Sequence, residues 1–97
     1  MTARQIAAKL DRQFAREAVI EDCEHLNVNY YDLISESNRA NQNVKKAITK
    51  FRYGQFTNSG LGQALGKDHN AIWNYNRSVT TKAVKTIILK LMQNERY

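Results

Sequence analysis

Apolar residues recur at helical spacing along nearly the whole chain. Ile6, Leu10 and Phe14 repeat every four residues, with Ala3, Ala7 and Ala18 beside them, which predicts one apolar stripe on a first helix over about residues 2–26. Asn27 and Asn29 then punctuate the chain. A short helix is expected at 30–35. Ser37 and Asn38, with Asn41 and Asn43, form a polar break able to cap a helix over about 41–53. In that helix Val44, Ala47 or Ile48, and Phe51 turn inward, while Lys45, Lys46, Lys50 and Arg52 share the remaining surface. Gly54 fits a C-terminal cap.

Thr57, Asn58 and Ser59 offer caps for a very short helix carrying Leu61, Ala64 and Leu65. Gly66 supplies a turn. A new helix begins at Asp68 or His69 and continues through Ile72, Tyr75 and Val79. Thr80 and Thr81 allow a break before a last helix over about 81–94, which buries Val84, Ile87, Ile88 and Leu91. The pattern therefore predicts one all-α domain over 1–97, with four to five helices and a helix-turn-helix at about 57–79. The absence of proline suits this reading, because proline breaks helix interiors.

Charge changes the picture by its placement. The chain carries a formal net charge of +6. Residues 1–36 hold Arg4, Lys9, Arg12 and Arg16 against Asp11, Glu17, Glu21, Asp22, Glu24, Asp32 and Glu36, a net −3. Residues 37–77 hold Arg39, Lys45, Lys46, Lys50, Arg52, Lys67 and Arg77 against Asp68 alone, a net +6. Residues 78–97 add a net +3. A basic half that starts at Arg39 is the footprint of a polyanion binder, against the plainer reading of a solvated basic face.

Other chemistry finds little support. Cys23 is the single cysteine, so an internal disulfide is impossible and a reducing compartment is the natural reading. No membrane-length apolar run and no signal-peptide segment is seen, and the expected location is cytoplasmic. Cys23, His25 and His69 do not form a closed zinc set, so no metal or other cofactor is expected. Neither Cys23 nor His69 has a catalytic partner in the sequence, and an enzyme is not expected.

The segment Leu61-Gly62-Gln63-Ala64-Leu65-Gly66-Lys67-Asp68-His69-Asn70-Ala71-Ile72 carries the functional expectation. Leu61 and Leu65 seat the first helix of the pair. Gly62 permits a close helix approach, and Gly66 can take the positive φ of a sharp turn. Ile72 and Val79 would hold the second helix down. Lys67, Asp68, His69, Asn70 and Ala71 then occupy its exposed N-terminal end, where recognition helices offer residues to base edges. Asn70 can pair bidentately with adenine, Asp68 can accept from cytosine N4, and Ala71 can touch a thymine methyl. His69 can donate to guanine N7 or thymine O4. Lys67 can neutralise a phosphate. In the plainer reading Asp68 is an N-cap and His69 and Asn70 are ordinary surface.

Gly66-Lys67-Asp68-His69, a small pair and Ile72 resemble the signature Gly-Arg-Asp-His-Thr-Thr-Val of the C-terminal DNA-binding domain of the bacterial replication initiator DnaA. Upstream, Leu26-Asn27-Val28 and Asp32-Leu33-Ile34-Ser35 resemble that family's F-x-V and D-L-L-S stretches, and the segment from Leu61 to Gly66 resembles its I-G-x-x-F-G. The resemblance spans about residues 19–79. It implies a Trp-repressor-like fold with base contacts at Asp68, His69, Asn70 and Ala71. It also implies a minor-groove loop near Asn38 and Arg39, and phosphate contacts from the Lys45 and Lys46 helix.

This chain departs from the family pattern in several places. The Thr-Thr pair is Asn70 and Ala71, the loop arginines reduce to Arg39, and Arg52 stands where a leucine is usual. The turn before Leu61 is about three residues shorter than the family's, and Tyr75 replaces a small residue. No Gly-x-x-x-x-Gly-Lys-Ser/Thr phosphate loop is present. The expectation is thus a free-standing reader of duplex DNA, acting in transcription or replication control, of the kind a phage or mobile element would carry.

In that reading Arg39, Lys45, Lys46, Lys50 and Arg77 hold phosphates. Two other classes stand beside it. One is a protein-interaction module that binds a host or replication protein and has no need of the basic span. The other is an RNA or single-strand binder, which requires Trp73 exposed beside the basic face, whereas Trp73 is expected in packing between helices. The terminal helices either cover the core or form a homodimer seam.

Overall fold

The computed structural model describes residues 1–93. Among them the fold is all-α, with six helices where four to five were expected: α1 (Ala3–His25), α2 (Tyr30–Ser35), α3 (Arg39–Arg52), α4 (Asn58–Leu65), α5 (His69–Arg77) and α6 (Lys82–Gln93). The expected end of the last helix at Asn94 lies outside the described residues. No described helix is long and apolar enough to cross a membrane.

Local chemistry sets the helix ends. Thr2 and Gln5 form a reciprocal capping box at the start of α1. At its end Asn27 adopts a left-handed φ of +57°, and the Val28 N–H reaches back to the Cys23 carbonyl at 2.9 Å. Asn29 caps α2 and Asn38 caps α3, so α3 starts two residues earlier than expected. Arg39 consequently lies in the first turn of a helix rather than in a loop.

α1 packs along α4, α4 on α5, α5 on α3, and α3 on α6. The core gathers Val19 and Cys23 of α1, Leu33 of α2, Val44 and Ile48 of α3, Leu61 and Leu65 of α4, Ile72 of α5 and Leu91 of α6. The Tyr30 hydroxyl donates to the Ala64 carbonyl at 2.6 Å and ties α2 to α4. Asp11 accepts from the Thr57 N–H and hydroxyl, at 3.2 and 2.6 Å, and ties α1 to the start of α4.

Packing sorts three faces, and in the last two it corrects the expectation. The first concerns α1, whose buried residues are Ala15, Val19, Asp22 and Cys23, while the apolar stripe of Ile6, Leu10 and Phe14 stays 45, 43 and 50 % exposed. Leu10 and Val19 are nine residues apart, about two and a half turns, so they face opposite sides of the helix. The second concerns Arg52, which does not lie on open surface. Its Nε and Nη2 donate to the two carboxylate oxygens of buried Asp22, at 2.9 and 2.6 Å. The third concerns Val79, which holds nothing down. α5 ends at Arg77, and Val79 is among the most exposed apolar residues. In α6, Val84 and Leu91 are buried and Ile87 and Ile88 half-buried, so this helix covers the core.

Candidate nucleic-acid interface

α4 and α5 are joined by the turn Gly66-Lys67-Asp68. Gly66 takes φ +70°, and the Lys67 N–H donates to the Gly62 carbonyl at 2.7 Å, which closes α4 tightly. Gly62 is needed for that closure, because a Cβ there would stand 2.5 Å from the Lys67 carbonyl oxygen. Asp68 caps α5, its Oδ1 accepting from the Ala71 N–H at 2.8 Å. The plainer reading of Asp68 thus describes one of its carboxylate oxygens.

Ile72 is the buried anchor of α5, and Tyr75 packs at the edge of the core. The opposite side is a continuous exposed face. His69, Trp73 and Arg77 follow at intervals of four, with Asn70 and Asn74 alongside. Ala71 lies half-buried on the Tyr75 flank of the helix, away from the middle of that face.

Trp73 corrects the packing expectation. It is 46 % exposed, and the Arg77 guanidinium sits 4.2 Å from its ring centroid. Trp73 and Asn74 are residues the sequence reading left out of the face. Counting four residues on from His69 and from Asn70 finds both.

The α3 cations divide into distinct environments. Arg39, Gln42, Asn43, Lys46 and Lys50 recur at three- and four-residue spacing, so they share one flank of α3. Arg39, Gln42, Asn43 and Lys46 line a cleft of about 460 Å³ whose other wall is Thr81 and Ala83 at the start of α6. The Lys46 ammonium stands 6.0 Å from the Tyr75 ring centroid, which brings this flank to the side of α5. Lys50 is engaged internally: its ammonium donates to the carbonyls of Asn76 (3.1 Å) and Ser78 (2.5 Å), capping the end of α5.

Lys45 is only 3 % exposed. Its burial, and secondarily the Lys67 charge, pushes its ammonium below the ordinary lysine range. The surface expected for Lys45 and Lys50 is corrected by these positions. Open cations around α5 are Arg39 and Arg77, with Lys46 and Lys67 half-buried beside them.

Among the described residues no group of three or more His, Cys, Asp or Glu side chains is placed to hold a metal ion. Comparison of the chain with family models, with characterised proteins and with solved structures returns no match.

Proposed function

We propose that this protein is a sequence-specific binder of double-stranded DNA that lays α5 in the major groove as the second helix of a helix-turn-helix. The observation that carries this reading is the exposed face His69, Asn70, Trp73, Asn74 and Arg77, opposite the Ile72 anchor and flanked by Lys46 and Lys67. His69, Asn70 and Asn74 offer the donors and acceptors that match base edges, and Lys67, just before the Asp68-capped start of α5, suits a phosphate. Asp68 keeps one carboxylate oxygen for the cap and has the other for cytosine N4. Arg39 and Lys46, on the α3 flank, face the sugar–phosphate backbone. The likeness to the DnaA DNA-binding domain supports the same placement, with Asn70 and Ala71 in place of its Thr-Thr giving a different target sequence. The role is control of transcription or replication in a reducing, cytoplasmic setting.

A second reading rests on Trp73. An exposed indole with an arginine stacked on it is also a platform for unpaired bases, as single-strand and RNA binders use.

One titration separates the two readings. Trp73 is the only tryptophan, so its fluorescence reports on the face directly. Random-sequence duplex is expected to compete better than the matching single strands, DNA or RNA, at about 150 mM salt, where non-specific phosphate binding is weakened. Tighter binding to single strands would replace the first reading by the second.

A further inference from the structure

We propose that the outer face of α1 is a self-association surface on which a second copy of this chain packs antiparallel, with Leu10 meeting Leu10 at the two-fold axis. The inference goes beyond the reading of α5 and does not depend on it.

The apolar stripe of α1 is unpartnered. Ile6, Leu10 and Phe14 are each close to half exposed, and Ala3 and Ala7 beside them are exposed as well. All of them lie on the side of the helix opposite Ala15, Val19 and Cys23. Residues 1–10 are exposed throughout, yet they form regular helix from Ala3 onward behind a complete capping box. A short helix end with no packing partner is marginal in water, and a regularly spaced apolar stripe on it marks a surface that a second helix covers.

Charge selects both the occupant and its direction. Beyond Phe14 the same outer face turns acidic, with Glu17, Glu21 and Glu24, all exposed. At the N-terminal end of α1 Arg4 is exposed and no acidic residue lies in the first turn, while Arg12, about two turns before Val19, lies on the inward side beside Tyr30 and Gln63. In an antiparallel pair centred on Leu10, Ile6 packs on the Phe14 of the other copy. Glu17 then lies beside the first turn of the other α1, where unpaired N–H groups and Arg4 attract a carboxylate. A parallel pair would set acidic face on acidic face. The antiparallel register thus sets Glu17 at the other copy's first turn and carries Glu21 and Glu24 past it, so reversal separates the acidic faces and lets the two stripes meet about a two-fold axis. One stripe per chain is less than the roughly 800 Å² a partner contributes to a standard interface, so a weak, concentration-dependent dimer is the expected species.

The test uses the full chain, because α1 also builds the core. Sedimentation equilibrium from about 5 to 500 micromolar covers the Kd range of weak homodimers. Average mass is expected to rise toward twice the monomer. Leu10→Glu, at an exposed position, should keep its helical circular dichroism and remain monomeric. Leu10→Cys should form a disulfide-linked dimer under mild oxidation, whereas Lys85→Cys on α6 should not. Wild-type protein that stays monomeric across the range overturns the proposal, as does a dimer that Leu10→Glu leaves intact. A dimer that Leu10→Glu abolishes but Leu10→Cys fails to cross-link overturns the antiparallel register.

Discussion

The backbone of Lys67 closes over Gly62: its N–H bonds the Gly62 carbonyl at 2.7 Å, and its own carbonyl leaves no room for a Cβ on that glycine. This contact fixes how closely α5 follows α4, and so where His69 and Asn70 stand. Gly62→Ala must push Lys67 backbone aside and should cost about 1–3 kcal/mol in urea unfolding, as overpacked sites do. Gly66→Ala faces a left-handed φ of +70° and the Ile34 carbonyl at 3.2 Å, a strain of about 1–2 kcal/mol. Wild-type stability in Gly62→Ala would show that the turn has another arrangement.

Asp68 and Asn70 stand two positions apart at the start of α5 but should fail differently. Asp68→Ala removes the α5 cap and should lower stability by about 1 kcal/mol. Asn70 is exposed, so Asn70→Ala should change stability by less than about 0.5 kcal/mol. The same change should flatten discrimination at one base position by roughly 1–3 kcal/mol. Paired unfolding and binding titrations of the two variants check both halves.

Lys46 and Lys50 lie one turn apart on α3 and also separate. Lys46→Ala should weaken all duplexes alike and reduce the slope of log affinity against log salt by about one, with little change in Tm. Lys50→Met should instead lower stability by about 1–3 kcal/mol, because the Asn76 and Ser78 carbonyls lose a charged donor. A Lys50→Met variant of unchanged Tm would return Lys50 to the set of free phosphate contacts.

Much of the fold was legible because its signals are local. Caps at Asn38, Thr57 and Asp68 and the αL glycine at position 66 act within a few residues of themselves, and all stand where the sequence placed them or within a residue or two. The errors came from long-range partners. The periodicity of Ile6, Leu10 and Phe14 identified a helix face, but α4 chose the side bearing Val19 and Cys23. Arg52 reads as a solvated cation until Asp22, thirty positions earlier, is seen to meet it. Lys45 and Lys50 read as free for the same reason. Trp73 was misplaced by a bias toward burying aromatics, although its i, i+4 relation to His69 and Arg77 was in the sequence.

The Cys23 thiol gives the stability a pH signature. Burial, then the charges of Asp22 and Glu24, raise its pKa from 9.0 to about 11. The folded state therefore holds the proton longer than the unfolded chain does. The resulting stability is complete below pH 9 and is lost as the pH rises from about 9 to 11. Tm measured across that window should fall less steeply in Cys23→Ala than in wild type. The slope left in the variant is the balance of the Tyr30 phenol, which burial raises and which acts in the same direction, and the Lys45 ammonium, which burial lowers and which opposes it. Equal slopes in the two proteins would remove Cys23 from the account.

The central claim, that the exposed face of α5 reads duplex sequence, is tested most directly by selecting binding sites from a random duplex library at about 150 mM salt, for wild type and Asn70→Ala side by side. The account predicts a defined motif for the wild type and the loss of preference at one position of it in the variant. A folded wild-type sample that enriches nothing, or a variant that returns the identical motif, would contradict it.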